Sequence, residues 1–453
     1  MHSLQSKQPP VTRRLERTTF TTSRLLDFCS YKELQAQTGH AAGEWPLVIV
    51  KELFDNALDA CEEAGIAPEI MVRVDDTGIS IADNGPGLPA RTVKSILDFS
   101  SRTSSREAYV SPTRGAQGNA LKTIVAMPFV LSDAERGIVE IQAQGKRHRI
   151  TFAVDQIRQA PAIGYAVEPS SRKKGTELIV HWPDLAGSIL DGAKARFLQI
   201  VDDYAWLNPH LTVTVDWYGS TSPTTATVPD WTKWKPSDPT SPHWYTPDRL
   251  ARLIAAYAVH DAERKRDRTV REFVSEFRGL SATAKQGLVL EATGLARTPL
   301  SGLITGNAVD SAACAALLGA MRGYSKPVKP PELGIIGRGH FEARFREAGC
   351  EMESFDYRKV ADHDEEGIPY LVETAFGWLG DNAADERRMV TGVNWSPGII
   401  NPFRQLGSYG GSLDSILQQQ RVGRDEPVIF VLHVACPRVE YLDRAKSAVV
   451  VAS

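Results

Sequence analysis

Cysteine is scarce in this sequence and shows no pairing pattern. The 453 residues include 5 cysteines, and no two of them form a CxxC pair. An odd number of scattered cysteines (Cys29, Cys61, Cys314, Cys350 and Cys436) argues against a disulfide framework and against structural zinc. The pattern favours a reducing, cytoplasmic setting.

Long apolar runs are also missing. No stretch approaches the roughly 20 apolar residues that a helix needs to cross a bilayer. The N-terminal sequence MHSLQSKQPPVTRRLERTTF lacks the apolar region of a signal peptide. We therefore expect a protein without membrane contact.

An excess of positive charge is absent, because the formal net charge is −3. Nucleic-acid binding would have to come from local basic segments rather than from the whole surface. Two such segments occur, AERKRDRTVR at 262–271 and GKRHR at 145–149. Each is consistent with a solvated face or with phosphate contacts, and the sequence leaves both open.

What is present is the composition of a folded protein of several domains. Hydrophobic residues make up 42% of the chain and charged residues 24%. A stretch rich in Pro, Ser and Thr (219–247) and the segment KPVKPPELG (326–334) mark boundaries. We predict an N-terminal arm (1–24), a mixed domain with its exit linker (25–245), a helical domain (246–325) and a second mixed domain (326–453).

Strand signals dominate the first mixed domain. EIMVRVDDTGISIAD predicts two strands around a D-D-T-G turn, and VEIQAQGKRHRITFAV predicts a hairpin. GTELIVHWP and LTVTVDWYG add further strands. We expect an α+β fold with an antiparallel or mixed sheet and helices on one face.

The segment KELFDNALDACEEAG (51–65) predicts a helix that begins near Pro46 and ends at Gly65. Glu52, Asn56 and Asp59 recur at i, i+4 and i+7, which places them on one face. Taken alone, such a face favours a solvated surface.

Three glycine-containing motifs follow this helix in order. IADNGPGLP (81–89) places Asp83 at a strand end before two glycines, where a carboxylate can accept from a ligand while the backbone approaches closely. RGAQGNALKT (114–123) places glycines ahead of a helix start, an arrangement typical of a phosphate cradle. KKGTELIV (173–180) places Gly-Thr at the start of a strand. Each motif is weak alone, and their order together is a strong signal.

This order resembles the Bergerat-fold ATPases shared by gyrase, MutL and the histidine kinases. The likeness is closest to the B subunits of type IIB, topoisomerase VI-like enzymes, whose acidic helix is similar to ELFDNALDACEEAGIAPEI. TVREFVSEFRGLSATAKQGLVLEATGL is similar to their helix-two-turn-helix insert, and the C-terminal segments are similar to their α/β transducer domain. The resemblance implies a Bergerat α/β sandwich, a small helical insert and a transducer.

Site roles follow from the resemblance. It implies that Glu52 is the general base for ATP hydrolysis and that Lys446 reaches the γ-phosphate from the transducer. Asn56 would bind Mg²⁺, a cation that prefers oxygen ligands. Asp83 would accept from the adenine amino group. The other implied nucleotide contacts are Gly85, Gly87, Gly115, Gln117, Gly118 and Thr176.

The sequence departs from the family in places. Ala120 stands where the family commonly has a third glycine, and a positive φ there would be strained. Arg102 and Arg106 precede the motif as candidate phosphate contacts or as part of a solvated loop. We interpret Asp59 as a structural partner, and His433, which lies in an apolar strand, as a core residue.

The resemblance implies an ATP-driven dimerisation gate for double-stranded DNA. Cleavage would require a separate A-type subunit with a catalytic tyrosine, in an assembly that extends to A2B2 and is associated with the nucleoid. The family continues into a stalk helix beyond the position of Lys446, so we expect either that the stalk is absent or that the partner docks differently. The alternative is a stand-alone switch similar to MutL or MORC proteins, acting in DNA repair or in defence against foreign DNA.

Overall fold

The structure, a computed structural model, describes residues 28–97, 108–114, 120–155, 157, 160–306, 308–380, 386–406, 411–442 and 448–449. The predicted arm (1–24) lies outside these ranges.

An eight-stranded mixed sheet organises the N-terminal half. Its strands are β1 (Glu69–Asp75), β2 (Gly78–Asp83), β3 (Gly137–Ala143), β4 (Lys146–Asp155), β5 (Ala160–Pro169), β6 (Thr176–His181), β7 (Thr212–Trp217) and β8 (Ser220–Thr224). Their order is β5-β4-β3-β6-β2-β1-β7-β8. The β1–β7 pair is parallel and the other neighbours are antiparallel. Both predicted hairpins, β1–β2 and β3–β4, are confirmed.

Helices pack on one face of this sheet. They are α1 (Tyr31–Thr38), α2 (Trp45–Glu63), α3 (Ala90–Ile96), α4 (Ala120–Leu131) and α5 (Gly187–Leu207). In β1, Ile70, Val72 and Val74 are buried, while alternate residues on the opposite face are exposed. Because side chains alternate across a strand, this pattern fits a two-layer arrangement with one solvated sheet face. The predicted sheet with helices on one face is confirmed.

The helix that carries the acidic motif has local reasons for its limits. Pro46 occupies the first turn of α2, where the missing N–H costs no hydrogen bond. Gly65 lies just past the end with φ of 68°, a left-handed conformation that glycine adopts without strain. The predicted limits are therefore close to those observed.

The Pro-rich segment after β8 is packed rather than free. Trp234 and Trp244 are almost fully buried, and the indole N–H of Trp231 donates to the carbonyl oxygen of Ile335 at 2.6 Å. The expectation that these tryptophans pack on a surface is confirmed.

Helices dominate the next part of the chain. They are α6 (Pro247–Glu263), α7 (Val270–Ser275), α8 (Thr283–Thr293) and α9 (Ser311–Gly323), with the short hairpin strands β9 (Ile304–Thr305) and β10 (Ala308–Val309). Thr269 and Glu272 form a reciprocal capping box at the start of α7.

A second mixed sheet forms the C-terminal part. It contains β11 (Asp356–His363), β12 (Pro369–Trp378), β13 (Arg388–Val393), β14 (Ser396–Pro397) and β15 (Val428–Ala435), with α10 (Arg338–Glu347) and α11 (Leu413–Gln419). The strand order is β11-β12-β15-β13-β14, and β13 and β15 are parallel. His433 is fully buried in β15, as predicted for a core residue.

One hydrophobic core joins the helical part to the second sheet. It includes Leu253 of α6, Leu317 of α9, Leu371 of β12 and Trp206 of α5. The boundaries proposed at 245 and 325 stay predictions, because this shared core crosses both. Within the described ranges, no helix is both long and apolar enough to cross a membrane.

Candidate active site

The uncovered side of α2 carries the predicted acidic face. Between positions 47 and 59, Glu52 and Asp59 are half-buried and Asn56 is exposed, whereas most neighbouring positions are buried. Among the residues that the structure describes, Glu52 and Asn56 have no hydrogen-bond or ion-pair partner. Their polar atoms are therefore available to a ligand.

The carboxylate of Asp83 sits at the end of β2 beside two backbone donors. Its Oδ1 accepts from the N–H of Gly85 at 2.8 Å and from the N–H of Thr176 at 3.1 Å. Burial raises the pKa of Asp83, and the two backbone N–H donors oppose this shift. Both of these bonds fall on Oδ1, which leaves Oδ2 as the oxygen that a ligand can approach.

Close backbone approach explains the glycine at position 175. Its φ is 69°, and a Cβ placed there would lie 1.8 Å from the carbonyl oxygen of Asp83. The N–H of Gly175 also donates to the carbonyl oxygen of Gly85 at 2.9 Å. Only glycine fits this position, because the two chain segments touch through backbone atoms.

Gly87 and Thr176 complete the contact between the two segments. Gly87 has φ of 81°, and its carbonyl oxygen accepts from the side-chain amide of Gln144 at 3.2 Å. The hydroxyl of Thr176 accepts from the N–H of Leu88, 88 positions away, at 3.1 Å. The D-x-G-x-G turn and the Gly-Thr strand start thus form one wall.

A polar contact ties this wall to α2. The thiol of Cys61 donates to Oδ1 of Asn84 at 3.3 Å, and the same oxygen accepts from the N–H of Glu69 at 3.0 Å. Burial, followed by the charge of Asp83, raises the pKa of Cys61 to about 12. This thiol therefore stays protonated and serves as a donor at neutral pH.

The residue just before the predicted phosphate loop, Arg114, is anchored in the protein interior. Its guanidinium makes a bidentate pair with Glu62 at 2.8 and 2.7 Å, and it donates to Asp59 at 2.7 Å and to Asn208 at 2.5 Å. The interpretation of Asp59 as a structural partner is confirmed. Sequence reasoning missed Arg114, although its position beside the glycines was a usable signal.

Further charges close around Glu62. Lys233 Nζ lies 2.8 Å from Oε2 of Glu62, and His210 Nε2 lies 3.0 Å from Oε1. Burial alone would raise the pKa of Glu62, but Arg114 and Lys233 outweigh it and hold this pKa well below its ordinary value. Burial lowers the pKa of His210, so the imidazole is neutral and donates from Nε2.

Several predicted residues lie outside the described ranges. Of the nucleotide contacts these are Gly115, Gln117 and Gly118, and of the catalytic pair it is Lys446. Arg102 and Arg106 also lie outside. Ala120 is the first residue of α4, where alanine is favourable, so no strain arises from the missing glycine.

The basic segment of 262–271 is only partly a solvated face. Arg268 is buried, and its guanidinium pairs with Asp261 at 2.6 Å and with Glu276 at 2.7 Å. Arg266 pairs with Glu272 at 2.8 Å. The internal pairs leave the exposed side chains of Arg264 and Lys265 as the free cations of this segment, within the part of the chain that the structure describes.

The second basic segment is largely neutralised. Arg149 pairs with Glu140 at 2.8 Å, and Arg147 pairs with Glu168. His148 is buried, and its Nδ1 lies 2.7 Å from the hydroxyl of Tyr165. This arrangement favours the structural interpretation of residues 145–149.

Comparison with known proteins supports the assignment of the site. Residues 44–186 match the family model described as "Histidine kinase-, DNA gyrase B-, and HSP90-like ATPase". The matched range contains α2, the Asp83 turn and the Gly175–Thr176 strand start.

The curated relatives are B subunits of type 2 DNA topoisomerase 6. The chain is 27% identical over 177 residues to the one from Archaeoglobus fulgidus, covering 37% of this chain and 28% of that protein. It is 30% identical over 173 residues to the one from Natronomonas pharaonis, covering 36% and 21%. It is 28% identical over 267 residues to the one from Saccharolobus islandicus, covering 54% and 46%. The chain thus matches less than half of the length of each of these relatives.

A solved structure described as "Crystal Structure of N terminal domain of a DNA repair protein" aligns over 89% of this chain and 87% of its own, with a TM-score of 0.40 and 11% identity. That similarity is too low to support a function. The family match and the geometry agree, and residues 44–186 of this chain form a histidine kinase-, DNA gyrase B- and HSP90-like ATPase domain.

Proposed function

We propose that this protein is the ATP-binding and ATP-hydrolysing subunit of a topoisomerase VI-like type IIB DNA topoisomerase. The observation that carries the proposal is the convergence of the free Glu52–Asn56 face of α2 with the Asp83–Gly175–Thr176 wall inside the matched ATPase range. The topoisomerase names of the curated relatives support the finer assignment.

Glu52 is proposed to accept a proton from the attacking water. A carboxylate suits this step because the water must lose a proton as it attacks the γ-phosphate. The half-buried position of Glu52 on the uncovered strip of α2 leaves the carboxylate free to orient that water.

The chemistry of Asn56 fits a magnesium ion held between protein and nucleotide. Mg²⁺ usually keeps several waters and binds one or two protein oxygens together with substrate phosphates. In the described residues, no group of three or more His, Cys, Asp or Glu side chains could hold a metal alone. A site with Asn56 as a protein ligand and phosphates as the others is consistent with this; Mg²⁺ would supply charge neutralisation on the phosphates.

Asp83 is proposed to select adenine. An acceptor at its position pairs with the amino group of adenine and would face the carbonyl oxygen of guanine, which cannot donate. Gly85, Gly87 and Thr176 support this end of the site, and Gly115, Gln117, Gly118 and Lys446 are proposed to contact the phosphates.

The DNA-level role extends this proposal. We infer an ATP-dependent homodimer that gates double-stranded DNA, with cleavage performed by a separate A-type subunit that carries a catalytic tyrosine. The topoisomerase names of the relatives favour this role over a stand-alone MutL- or MORC-like switch.

The ATPase proposal is tested by measuring hydrolysis of ATP by the full chain with and without Mg²⁺. We expect Glu52→Ala to lower kcat by at least about 100-fold while ATP still binds, because general-base catalysis contributes on the order of 10²–10⁴. Asn56→Ala should lower the apparent affinity for Mg²⁺. Wild-type rates in Glu52→Ala, Asn56→Ala and Asp83→Ala together would refute the assignment.

The topoisomerase proposal is tested separately, by relaxation of supercoiled DNA with the candidate cleaving subunit. We expect ATP-dependent relaxation that Glu52→Ala abolishes. ATP hydrolysis without strand passage at every protein ratio would instead support the switch.

A further inference from the structure

A tight turn of the second sheet reaches into the ATPase domain. It joins β13 to β14 through Asn394 and Trp395, whose φ angles are 50° and 62°. Two successive left-handed residues are typical of a two-residue hairpin turn, and the second position usually carries glycine. Tryptophan is strained there, and its fully buried ring shows that surrounding packing holds it.

The residue after this turn, Ser396, contacts the catalytic helix directly. Its Oγ accepts from Nζ of Lys51 at 2.8 Å and donates to Oδ2 of Asp55 at 3.0 Å, across more than 340 positions of sequence. Lys51 and Asp55 also pair with each other at 2.9 Å. The hydroxyl of Tyr204 donates to Oδ1 of Asp55 at 2.7 Å. A single serine hydroxyl thus bridges both members of a buried ion pair.

This ion pair adjoins the proposed general base. Lys51 is the neighbour of Glu52 in sequence, and Asp55 lies three residues further along α2. Burial would lower the pKa of Lys51, but Asp55 and then Glu52 outweigh it and raise this pKa above its ordinary value. The charge of Glu52 therefore acts on the ammonium that Ser396 holds.

The rest of the turn is fixed on two further sides. The side-chain amide of Asn394 donates to the carbonyl oxygens of Cys436 at 3.1 Å and Thr113 at 3.3 Å. The carbonyl oxygen of Trp395 accepts from the side-chain amide of Asn208 at 2.9 Å. The turn cannot shift toward α2 or away from it without breaking several of these contacts.

We propose that Ser396 is a positioning residue for Glu52, contributed by the second sheet and acting through Lys51 and Asp55. The inference rests on the proposed role of Glu52 in ATP hydrolysis. It assigns to the β13–β14 turn the task of holding the catalytic stretch of α2 in its productive orientation, so that displacement of the second sheet changes the rate of hydrolysis.

The test is steady-state ATP hydrolysis by the full chain carrying Ser396→Ala, compared with wild type. The alanine removes both hydrogen bonds from the Lys51–Asp55 pair without touching the nucleotide wall. We expect kcat to fall by about tenfold, because small misplacements of a catalytic group cost one to two orders of magnitude, and KM for ATP to stay within about twofold.

A matched control separates positioning from loss of stability. Ser132→Ala removes the hydroxyl of another buried serine, whose Oγ donates to the carbonyl oxygen of Phe129 at 2.9 Å at the end of α4. We expect this control to keep kcat while lowering Tm about as much as Ser396→Ala. If Ser396→Ala does not fold, Ser396→Cys, which keeps the side-chain volume, takes its place.

A double-mutant cycle with Lys51→Met gives a second readout. If Ser396 acts through Lys51, the double variant should lose little more kcat than Lys51→Met alone. Unchanged kcat in Ser396→Ala, an equal loss in Ser132→Ala, or fully additive losses would overturn the inference. Failure of the wild-type protein to hydrolyse ATP would instead refute the proposed function.

Discussion

The backbone nitrogen of Thr176 donates a hydrogen bond to Oδ1 of Asp83 at 3.1 Å, joining two motifs that are 93 residues apart. With the N–H of Gly85 on the same oxygen, this bond fixes the carboxylate so that one oxygen is satisfied internally. The other can then serve a ligand. Specificity here depends on backbone geometry as much as on the carboxylate itself.

The first prediction concerns the free oxygen of Asp83. Asp83→Asn keeps an oxygen for the N–H groups of Gly85 and Thr176, so the fold should persist. Its amide group would face the adenine amino group as a second donor. We expect the affinity for ATP, measured by calorimetry, to fall by at least tenfold, since an unpaired buried donor costs about 1–3 kcal/mol. Unchanged affinity would remove Asp83 from the base-binding role.

The second prediction concerns the close approach at Gly175. Gly175→Ala forces a left-handed residue and places Cβ against the backbone of Asp83. We expect a loss of about 1–3 kcal/mol of stability together with weaker ATP binding. The control is Gly192→Ala in α5, where a Cβ meets nothing within 4 Å. That variant should be as stable as wild type or more stable, because alanine favours a helix, and equal Tm values for the two variants would contradict the argument.

The third prediction concerns the buried anchor of Arg114. Arg114→Met leaves Asp59 and Glu62 in the interior without their guanidinium partner. We expect a loss of about 3–5 kcal/mol in the free energy of unfolding, the usual cost of breaking a buried ion pair. Chemical denaturation provides the measurement.

The control for this prediction is the same substitution at an exposed pair. Arg346 pairs with Glu342 at 3.1 Å on the surface of α10. Arg346→Met should cost less than about 1 kcal/mol. Similar losses at both sites would mean that burial does not govern the contribution of Arg114.

The fourth prediction concerns the pH dependence of stability. His340 is buried, with Nε2 donating to the carbonyl oxygen of Trp206 at 2.9 Å and Nδ1 beside the hydroxyl of Thr227. Burial lowers the pKa of His340 to about 3 from an ordinary value of 6.5. Below pH 6.5 the unfolded chain therefore binds a proton that the folded chain does not.

Stability from this group is complete above pH 6.5 and is lost as the pH falls toward 3, by about 1.4 kcal/mol per pH unit. His340→Gln has no titrating group, so its stability should fall less steeply across the same window. Denaturant unfolding at about pH 8, 6 and 5 measures the two slopes. Parallel slopes would show that His340 does not titrate differently in the two states.

The fifth prediction concerns DNA contacts and follows from the proposed function. Arg264→Ala combined with Lys265→Ala removes the two free cations of the segment 262–271, within the part of the chain that the structure describes. If both contact phosphates, the slope of log K against log salt should decrease by about 2, since each contact contributes about 0.9. Anisotropy with duplex DNA at several salt concentrations gives this slope. Arg147→Ala, at a cation already paired with Glu168, is the control and should leave the slope unchanged.

Local patterns were sufficient for much of the site. The spacing of Glu52, Asn56 and Asp59 places them on one helical face whatever surrounds the helix, because helical periodicity is set by the backbone. Turn chemistry likewise positioned Asp83 at a strand end and Gly175 before a strand. These features depend on a few neighbouring residues, so they could be predicted correctly.

Distant partners were beyond the reach of the sequence. Arg268 belongs to a segment with the composition of a solvated or DNA-facing surface, yet it is buried against Asp261 and Glu276. Arg114 stands beside a glycine-rich loop, yet its side chain serves Glu62 in the interior. Whether a cation faces solvent or a carboxylate depends on how separate elements pack.

The sequence by itself determined the order of the motifs, the helical face and the chemistry of the site. The tertiary structure decided which oxygen of Asp83 stays free, which charges are buried and that Ser396 reaches Lys51. The physical reason is that periodicity and turn preferences act within a few residues, whereas hydrogen bonds across hundreds of positions exist only after two sheets have packed around shared cores.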